Sequence, residues 1–189
     1  EVDHDRPLWQ IPRDVQAVGA PAFGITQLDA DGSVLKVRRG DDWKRSRQND
    51  TAQVHDKPSC HHVDFLVDGA KRMKKKYPKK RLALWGHDHD GAYRQLMCEN
   101  PFWCMCLLMT AFGPTLWAHT VLPFGAKGAV WAYGRVADFL CHMSRVCLLI
   151  PTWHCVDDFA GIEDYRTADS AFEAFRELNE VHGLKTKQK

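Results

Sequence analysis

The chain has 189 residues and a mass of 21.6 kDa, enough for one sizeable domain or two small ones and too little for a multi-domain assembly. Apolar residues make up 44% and charged residues 26%, a balance that excludes wholesale disorder. Twenty-six Lys and Arg against 24 Asp and Glu leave a net charge of +2, so the summed charge does not by itself announce a polyanion partner. The seven cysteines, an odd number, read as reduced thiols of an intracellular protein, nuclear or cytoplasmic, rather than a disulfide scaffold. The longest apolar run, Phe102 to Met109, is too short to span a bilayer, and no membrane partner is expected. The chain starts at Glu1 and stops in Lys187-Gln188-Lys189, and it reads as a piece of something longer.

In chain order, the first forty-odd residues are punctuated by Pro7, Pro12, Gly19, Pro21, Gly24, Gly32 and Gly40. Gln27 to Val37 reads as a hairpin, with Asp31-Gly32 supplying the turn. The polar stretch Asp41 to His62 reads as a surface loop. Val63 to Lys76 opens apolar and turns basic, and eight of the eleven residues from Lys71 to Arg81 are Lys or Arg. That run fits a solvated helix end before Pro78 and a phosphate-contacting patch equally well. Leu82 to Trp85 reads as a buried strand running into His87-Asp88. Phe102 to Met109 and Thr115 to Leu122 read as strands around the turn signal Gly113-Pro114. Gly125 opens a helical pattern to about Arg145. Thr152 to Val156 and Phe159 to Ile162 are two short strands with Asp157-Asp158 between them. A last helix is expected from Thr167, its N-cap, to a stop at Gly183, with Ala171, Phe172, Phe175, Leu178 and Val181 as its apolar face. This order is an α+β plan.

Adjacent carboxylates at the tip of an apolar hairpin repel each other and are poorly solvated, unless a divalent cation neutralises them. Asp88 also ends an apolar strand. If the two strands share a sheet, Asp88, Asp157 and Asp158 converge at its edge. Three such carboxylates hold two Mg²⁺ ions, or Mn²⁺, at the about 3.5–4 Å separation used for in-line nucleotidyl transfer. The competing reading has Asp88 or Asp90 capping the following turn.

Asp88-His89-Asp90-Gly91-Ala92-Tyr93-Arg94-Gln95-Leu96 resembles the first palm motif of reverse transcriptases, an Asp with Ala-Tyr four and five positions on. Leu122-Pro123-Phe124-Gly125 resembles the second motif in its retrotransposon form, and Cys155-Val156-Asp157-Asp158-Phe159 the third. Gly183 to Lys189 resembles the start of a fourth motif. Lys36-Val37-Arg38 with Asp41-Asp42, Ser46 and Asn49 resembles the fingers segment. The order matches the family, and the likeness covers roughly residues 21–189.

The resemblance implies a right-hand polymerase palm, an antiparallel sheet backed by helices near 126–145 and 167–182. A fingers subdomain is expected with it, and no thumb is expected within these residues. The chain divides into an extension (1–20), a fingers-like region (21–81) and a palm (82–189), with further fingers elements within 94–121. The implied activity is RNA-directed DNA synthesis, joining deoxynucleoside triphosphates to a primer on an RNA or DNA template. Asp88, Asp157 and Asp158 would be catalytic metal ligands, with the His89 carbonyl as an extra one. Tyr93 would be the gate that rejects a ribose 2′-hydroxyl. Lys36, Arg38 and Lys189 would hold the triphosphate, and Phe124 and Gly125 would shape the nucleotide pocket.

The chain departs from the family at Cys155, where an aromatic is usual, at Val130 and Arg39-Gly40, where proline is frequent, and at His89, where an apolar residue is common. Rival readings are an RNA-dependent RNA polymerase, which Tyr93 opposes, and an inert palm remnant that only binds nucleic acid. Zinc held by Cys98, Cys104 and Cys106 with His61, His62 or His119 is disfavoured, since the spacing lacks paired knuckles and Cys104-Met105-Cys106 lies in an apolar strand. Asp41-Asp42 is expected to hydrogen-bond within the fingers, and Trp43 is a candidate for stacking on a base.

Overall fold

The computed structural model describes the backbone of residues 5–7 and the whole of residues 18–53 and 60–187. Its elements are β1 (Asp5–Pro7), β2 (Ala20–Leu28), β3 (Val34–Asp41), α1 (Gln48–Thr51), α2 (Val63–Lys76), β4 (Leu82–Asp88), β5 (Met105–Thr110), β6 (Gly113–His119), α3 (Lys127–Cys147), β7 (Thr152–Cys155), β8 (Asp158–Asp164) and α4 (Ala168–Val181). They form a mixed α+β fold of two compact units that interleave along the chain. Of the described residues, 5–7 and 18–53 with 96–130 make one unit, and 60–95 with 131–187 make the other.

The first unit is a five-stranded sheet in the order β1-β6-β5-β2-β3, antiparallel except for two parallel pairs, Ala20 with Cys106 and Pro21 with Leu107. Met105, Leu116 and Ala118 form its core, with Leu107 against them. The expected hairpin is longer than its sequence signal. Its tip closes as anticipated, with Gly32 at φ +86° and the Asp29 amide bonded to the Ser33 carbonyl at 2.9 Å. Asp31 Oδ1 accepts from the Ser33 amide at 2.8 Å. The strand expected from Phe102 starts only at Met105, because Pro101–Trp103 is a 3₁₀ turn capped by Asn100.

The stretch 41–53 is also more ordered than a surface loop. It contains α1, and Trp43 is 2% exposed with its indole N–H donating to the Phe124 carbonyl at 2.9 Å. Trp43 is therefore a core residue and not a platform for a base. Asn49 accepts from the Lys127 amide at 2.8 Å and donates to the Gly125 carbonyl at 3.1 Å, tying this stretch to the start of α3.

The second unit is a three-stranded antiparallel sheet, β4-β8-β7, between helices. Strand alternation divides its residues. Trp85 and His87 of β4 meet Phe172 and Phe175 of α4, while His154 of β7 meets Asp138 of α3. On the other face Gly69 of α2 lies against the Trp153 ring, where a Cβ would come within 2.8 Å. Helix α4 starts after Thr167 and stops before Gly183, which has φ +73°. Its buried face is Ala168, Ala171, Phe175 and Asn179, and Val181, expected on that face, is 82% exposed. Steps of three and four from Ala168 reach Asn179 and leave Val181 on the solvent side.

Gly161 pairs with Trp85 across β4 and β8, and the Trp85 ring lies over it so closely that a Cβ would sit 2.1 Å from Cζ2. Phe175 backs the ring at 5.3 Å, so it cannot retreat. Gly161→Ala is expected to cost about 1–3 kcal/mol of stability through overpacking, read as a lower urea midpoint with an unchanged denaturant slope.

A candidate three-carboxylate active site

The β4–β8 ladder pairs Leu82 with Asp164 at one end and Asp88 with Asp158 at the other. Directly opposed residues on an antiparallel pair bring their side chains within about 4.5–5.5 Å at Cβ. Asp157 sits in the two-residue turn between Cys155 and Asp158. That turn places Val156 at φ +58°, a left-handed conformation costing a β-branched residue of order 1–3 kcal/mol. The Val156 carbonyl accepts from His154 Nδ1 at 3.2 Å, and His154 Nε2 contacts Asp138 Oδ1 at 2.9 Å. The strained turn is thus gripped from α3 through a buried imidazole.

The three carboxylates answer one another electrostatically. Asp158 is pushed up from the ordinary aspartate value, first by burial and then by the charges of Asp157 and Asp88, with Lys187 pulling the other way. Lys187 forms an ion pair with Asp88, and its own pKa is raised by that hydrogen bond. The segment carrying it is pinned beside β4. The Lys187 amide donates to the Asp88 carbonyl at 3.0 Å, and the Asp90 amide donates to the Lys185 carbonyl at 3.0 Å. Gln95 bridges both segments, donating to the Asp90 and Lys185 carbonyls at 2.8 Å each and accepting from the Lys185 amide at 2.6 Å.

Beneath Asp88, polar His89 is 1% exposed and fully engaged. Asn179 Nδ2 donates to the Phe175 carbonyl at 2.6 Å, so its Oδ1 faces His89 Nε2 at 2.7 Å. Nε2 therefore carries the proton, and Nδ1 accepts from the Tyr133 hydroxyl at 2.6 Å. Burial holds the His89 pKa below the ordinary histidine value, against the opposing pull of the Asn179 bond and of Asp88 and Asp157. Polar His89 thus has its partners built into α3 and α4.

Tyr93 is 6% exposed, edge-on to Tyr133 at a ring separation of 5.1 Å. Its hydroxyl is pushed up to about 12 by burial and then by the charge of Asp157. Asp88, Asp157, Asp158 and Tyr93 thus share the second unit. Lys36, Arg38, Phe124 and Gly125 belong to the first. There Lys36 and Arg38 are exposed on β3. Gly125, at φ +84°, lies where a Cβ would come within 3.2 Å of Trp43. Lys189 lies outside the described residues.

Among the described residues, one group of metal-capable side chains gathers elsewhere: Asp41, Cys106 and His119, with ligand atoms all within 4.8 Å. It does not include Cys98 or Cys104. The Arg39 guanidinium occupies it, with Nε on Asp41 at 3.1 Å and Nη2 on Cys106 Sγ at 2.7 Å and His119 Nε2 at 3.2 Å. Burial pushes the Asp41 carboxyl up, but its hydrogen bond to His119 and the charge of Arg39 outweigh that, and its pKa is lowered. This is a charge-balanced internal network, and it gives Asp41 the hydrogen-bonding role expected of it.

Sequence reasoning missed Lys187, Gln95, Tyr133, Asn179 and the Arg39–Asp41–His119 network. Asn179 had a visible signal, a polar residue at the four-residue step from Phe175. Lys187 and Gln95 meet Asp88 and Lys185 only through tertiary pairing. No protein-family model matches the chain, and no curated protein matches its sequence. Among the described residues no helix is long and apolar enough to cross a membrane.

Folding lowers the His89 pKa from 6.5 and lowers that of His61 by burial and by His154 and Arg145. The unfolded chain therefore holds protons that the folded chain releases. Stability is full above the ordinary histidine range and falls as pH drops through it. Urea midpoints are expected to be lower at pH about 5.5 than at about 7.5. Tyr133→Phe is expected to cost a further about 1–3 kcal/mol by orphaning His89 Nδ1, measured in the same titrations.

Proposed function

We propose that the second unit is the palm of a reverse transcriptase, with residues of the first contributing its fingers, and that the chain carries RNA-directed DNA polymerase chemistry. The observation that carries this reading is the register of β4 against β8. It opposes Asp88 to Asp158 with Asp157 in the adjoining turn, on an antiparallel sheet backed by α3 and α4. These are the residues of the family's first and third motifs.

The donors fit Mg²⁺ or Mn²⁺: hard carboxylate oxygens, three to a site, where burial and then the charges of Asp157 and Asp88 already raise the Asp158 pKa. When bound, such ions would supply activation of a primer 3′-hydroxyl and stabilisation of charge on the departing pyrophosphate. Asp88, Asp157 and Asp158 would hold them. Lys187 competes for Asp88 and would be released toward the phosphates of an incoming nucleotide. His89, held by Tyr133 and Asn179, fixes the backbone that follows Asp88. Tyr93, close enough to Asp157 to feel its charge, would crowd the sugar 2′ position. Catalysis is then positioning and electrostatics, with no covalent role for a side chain. Template, primer and deoxynucleotides are the partners this reading requires.

Primer extension on an RNA template is the test, with deoxy- and ribonucleotides compared. Mg²⁺-dependent deoxynucleotide incorporation is expected, lost by at least about a hundredfold in Asp157→Asn. Preference for ribonucleotides would transfer the site to RNA synthesis, and no synthesis from folded protein would sink the enzymatic claim for this chain.

A separate measurement isolates the metal site. Folding raises the Asp158 pKa, so the folded chain holds a proton that the unfolded chain has released, and stability falls as pH rises through the carboxylate range. Without metal at neutral pH, Asp158→Asn is therefore expected to raise Tm. Mg²⁺ should raise Tm of the wild type and leave that of the variant nearly unchanged.

A further inference from the structure

The β4–β8 ladder has a second end, six residue steps and about 20 Å from the acidic one, and its chemistry is the reverse. Helix α2 runs out there, so Lys71, Arg72, Lys74, Lys75, Lys76, Lys79, Lys80 and Arg81 surround the start of β4, all exposed. Arg72 pairs with Asp68 on its own helix. Lys80 and Arg166 both bind Asp164, each at 3.1 Å, and Arg166 together with Lys80 holds that carboxyl far below its ordinary value. One carboxylate thus answers two cations. Lys71, Lys74, Lys75, Lys76 and Lys79 form no ion pair among the described residues, and Lys74 instead donates to the Lys80 carbonyl at 2.7 Å.

Two tyrosines stand in this basic surface. Tyr77 is 41% exposed, with the ammonium groups of Lys76 and Lys80 at 5.4 and 5.2 Å from its ring centre. Tyr165 is 56% exposed, with the Arg81 guanidinium 4.4 Å from its ring centre. Tyr77 also walls a cleft of about 460 Å³ with Met73, Leu82, Leu149 and Pro151 in its apolar lining, and with Lys80 and Arg166 beside Glu163 and the doubly paired Asp164 in its polar lining. Cations to track a phosphate backbone, with exposed rings and an apolar cleft to receive bases, are the components of a single-strand platform. A duplex would keep its bases stacked away from the tyrosines.

We propose that this basic end of the sheet is a second nucleic-acid-binding surface, separate from the acidic triad, that takes a single strand by its phosphates and stacks a base on Tyr77. It does not depend on the polymerase reading, because what is measured is binding in the absence of divalent metal.

The test is fluorescence anisotropy of a labelled single-stranded RNA of about 15 nucleotides, titrated with the full chain in EDTA over a series of salt concentrations. The triple variant Lys75→Gln, Lys76→Gln, Lys79→Gln is expected to flatten the log–log salt slope by about two and to weaken binding more than tenfold at low salt. The matching triple Lys→Arg variant should bind like the wild type, which separates charge from fold. Tyr77→Leu should weaken binding by about fivefold or more while leaving the salt slope unchanged. A wild-type affinity and slope in the triple Gln variant would overturn the proposal. So would binding to phosphatidylserine vesicles with none to the RNA, which would reassign the surface to an anionic membrane.

Discussion

The like-charge crowding of Asp88, Asp157 and Asp158 at one end of the β4–β8 ladder is the constraint around which the second unit is arranged. Antiparallel pairing has a side-chain period of two, so a slip of one residue would turn every side chain of the strand to the other face. The register is fixed from inside the sheet, where the Trp85 ring fills the space that Gly161 leaves and Phe175 closes over it. Apolar packing in the middle of the strands therefore forces the carboxylates together at their end. The unfavourable contact is sustained by burial elsewhere, and Lys187, ion-paired with Asp88 and close enough to pull the Asp158 pKa back down, offsets part of it.

A crowded set of charges needs a stiff mounting, and the mounting is polar. His89 is locked between Tyr133 of α3 and Asn179 of α4, and His154 joins Asp138 of α3 to the carbonyl of the strained Val156. Each imidazole lies within three residues of an acidic one. Buried polar contacts of this kind are costly when broken and specific when complete. They fix the backbone at the two places where the acidic side chains leave it. An apolar residue at position 89 would pack as well, but it would not tie α3 and α4 to the same point.

Much of this was legible in the sequence, for definable reasons. Helices α3 and α4 announce themselves through apolar periodicity, the hairpin tip through Asp31-Gly32, and the acidic pair through its position between two apolar segments. What was hidden depends on contacts distant in sequence. Trp43 looked like a free aromatic in a polar stretch, and only the Phe124 carbonyl, 81 positions on, gives its indole N–H a buried partner. Cys106 and His119 looked separate from Asp41 until β2 paired with β5 and brought Arg39 between them. Val181 misled because a helical face drifts from a strict repeat over several turns.

Net charge was the least informative quantity of all, and the ladder explains why. The +2 total averages an end of the sheet where three carboxylates converge with an end where eight basic side chains gather and Asp164 is paired with two cations. Screening in salt acts over about 8–10 Å, roughly half the length of β4. The two ends therefore present themselves to solvent as separate surfaces of opposite sign, and a ligand meets one field at a time. On electrostatic grounds alone a small cation would favour the acidic end and a polyanion the basic one. A chain with near-zero summed charge can in this way hold strong local preferences of both signs, set by which end of a strand each residue occupies.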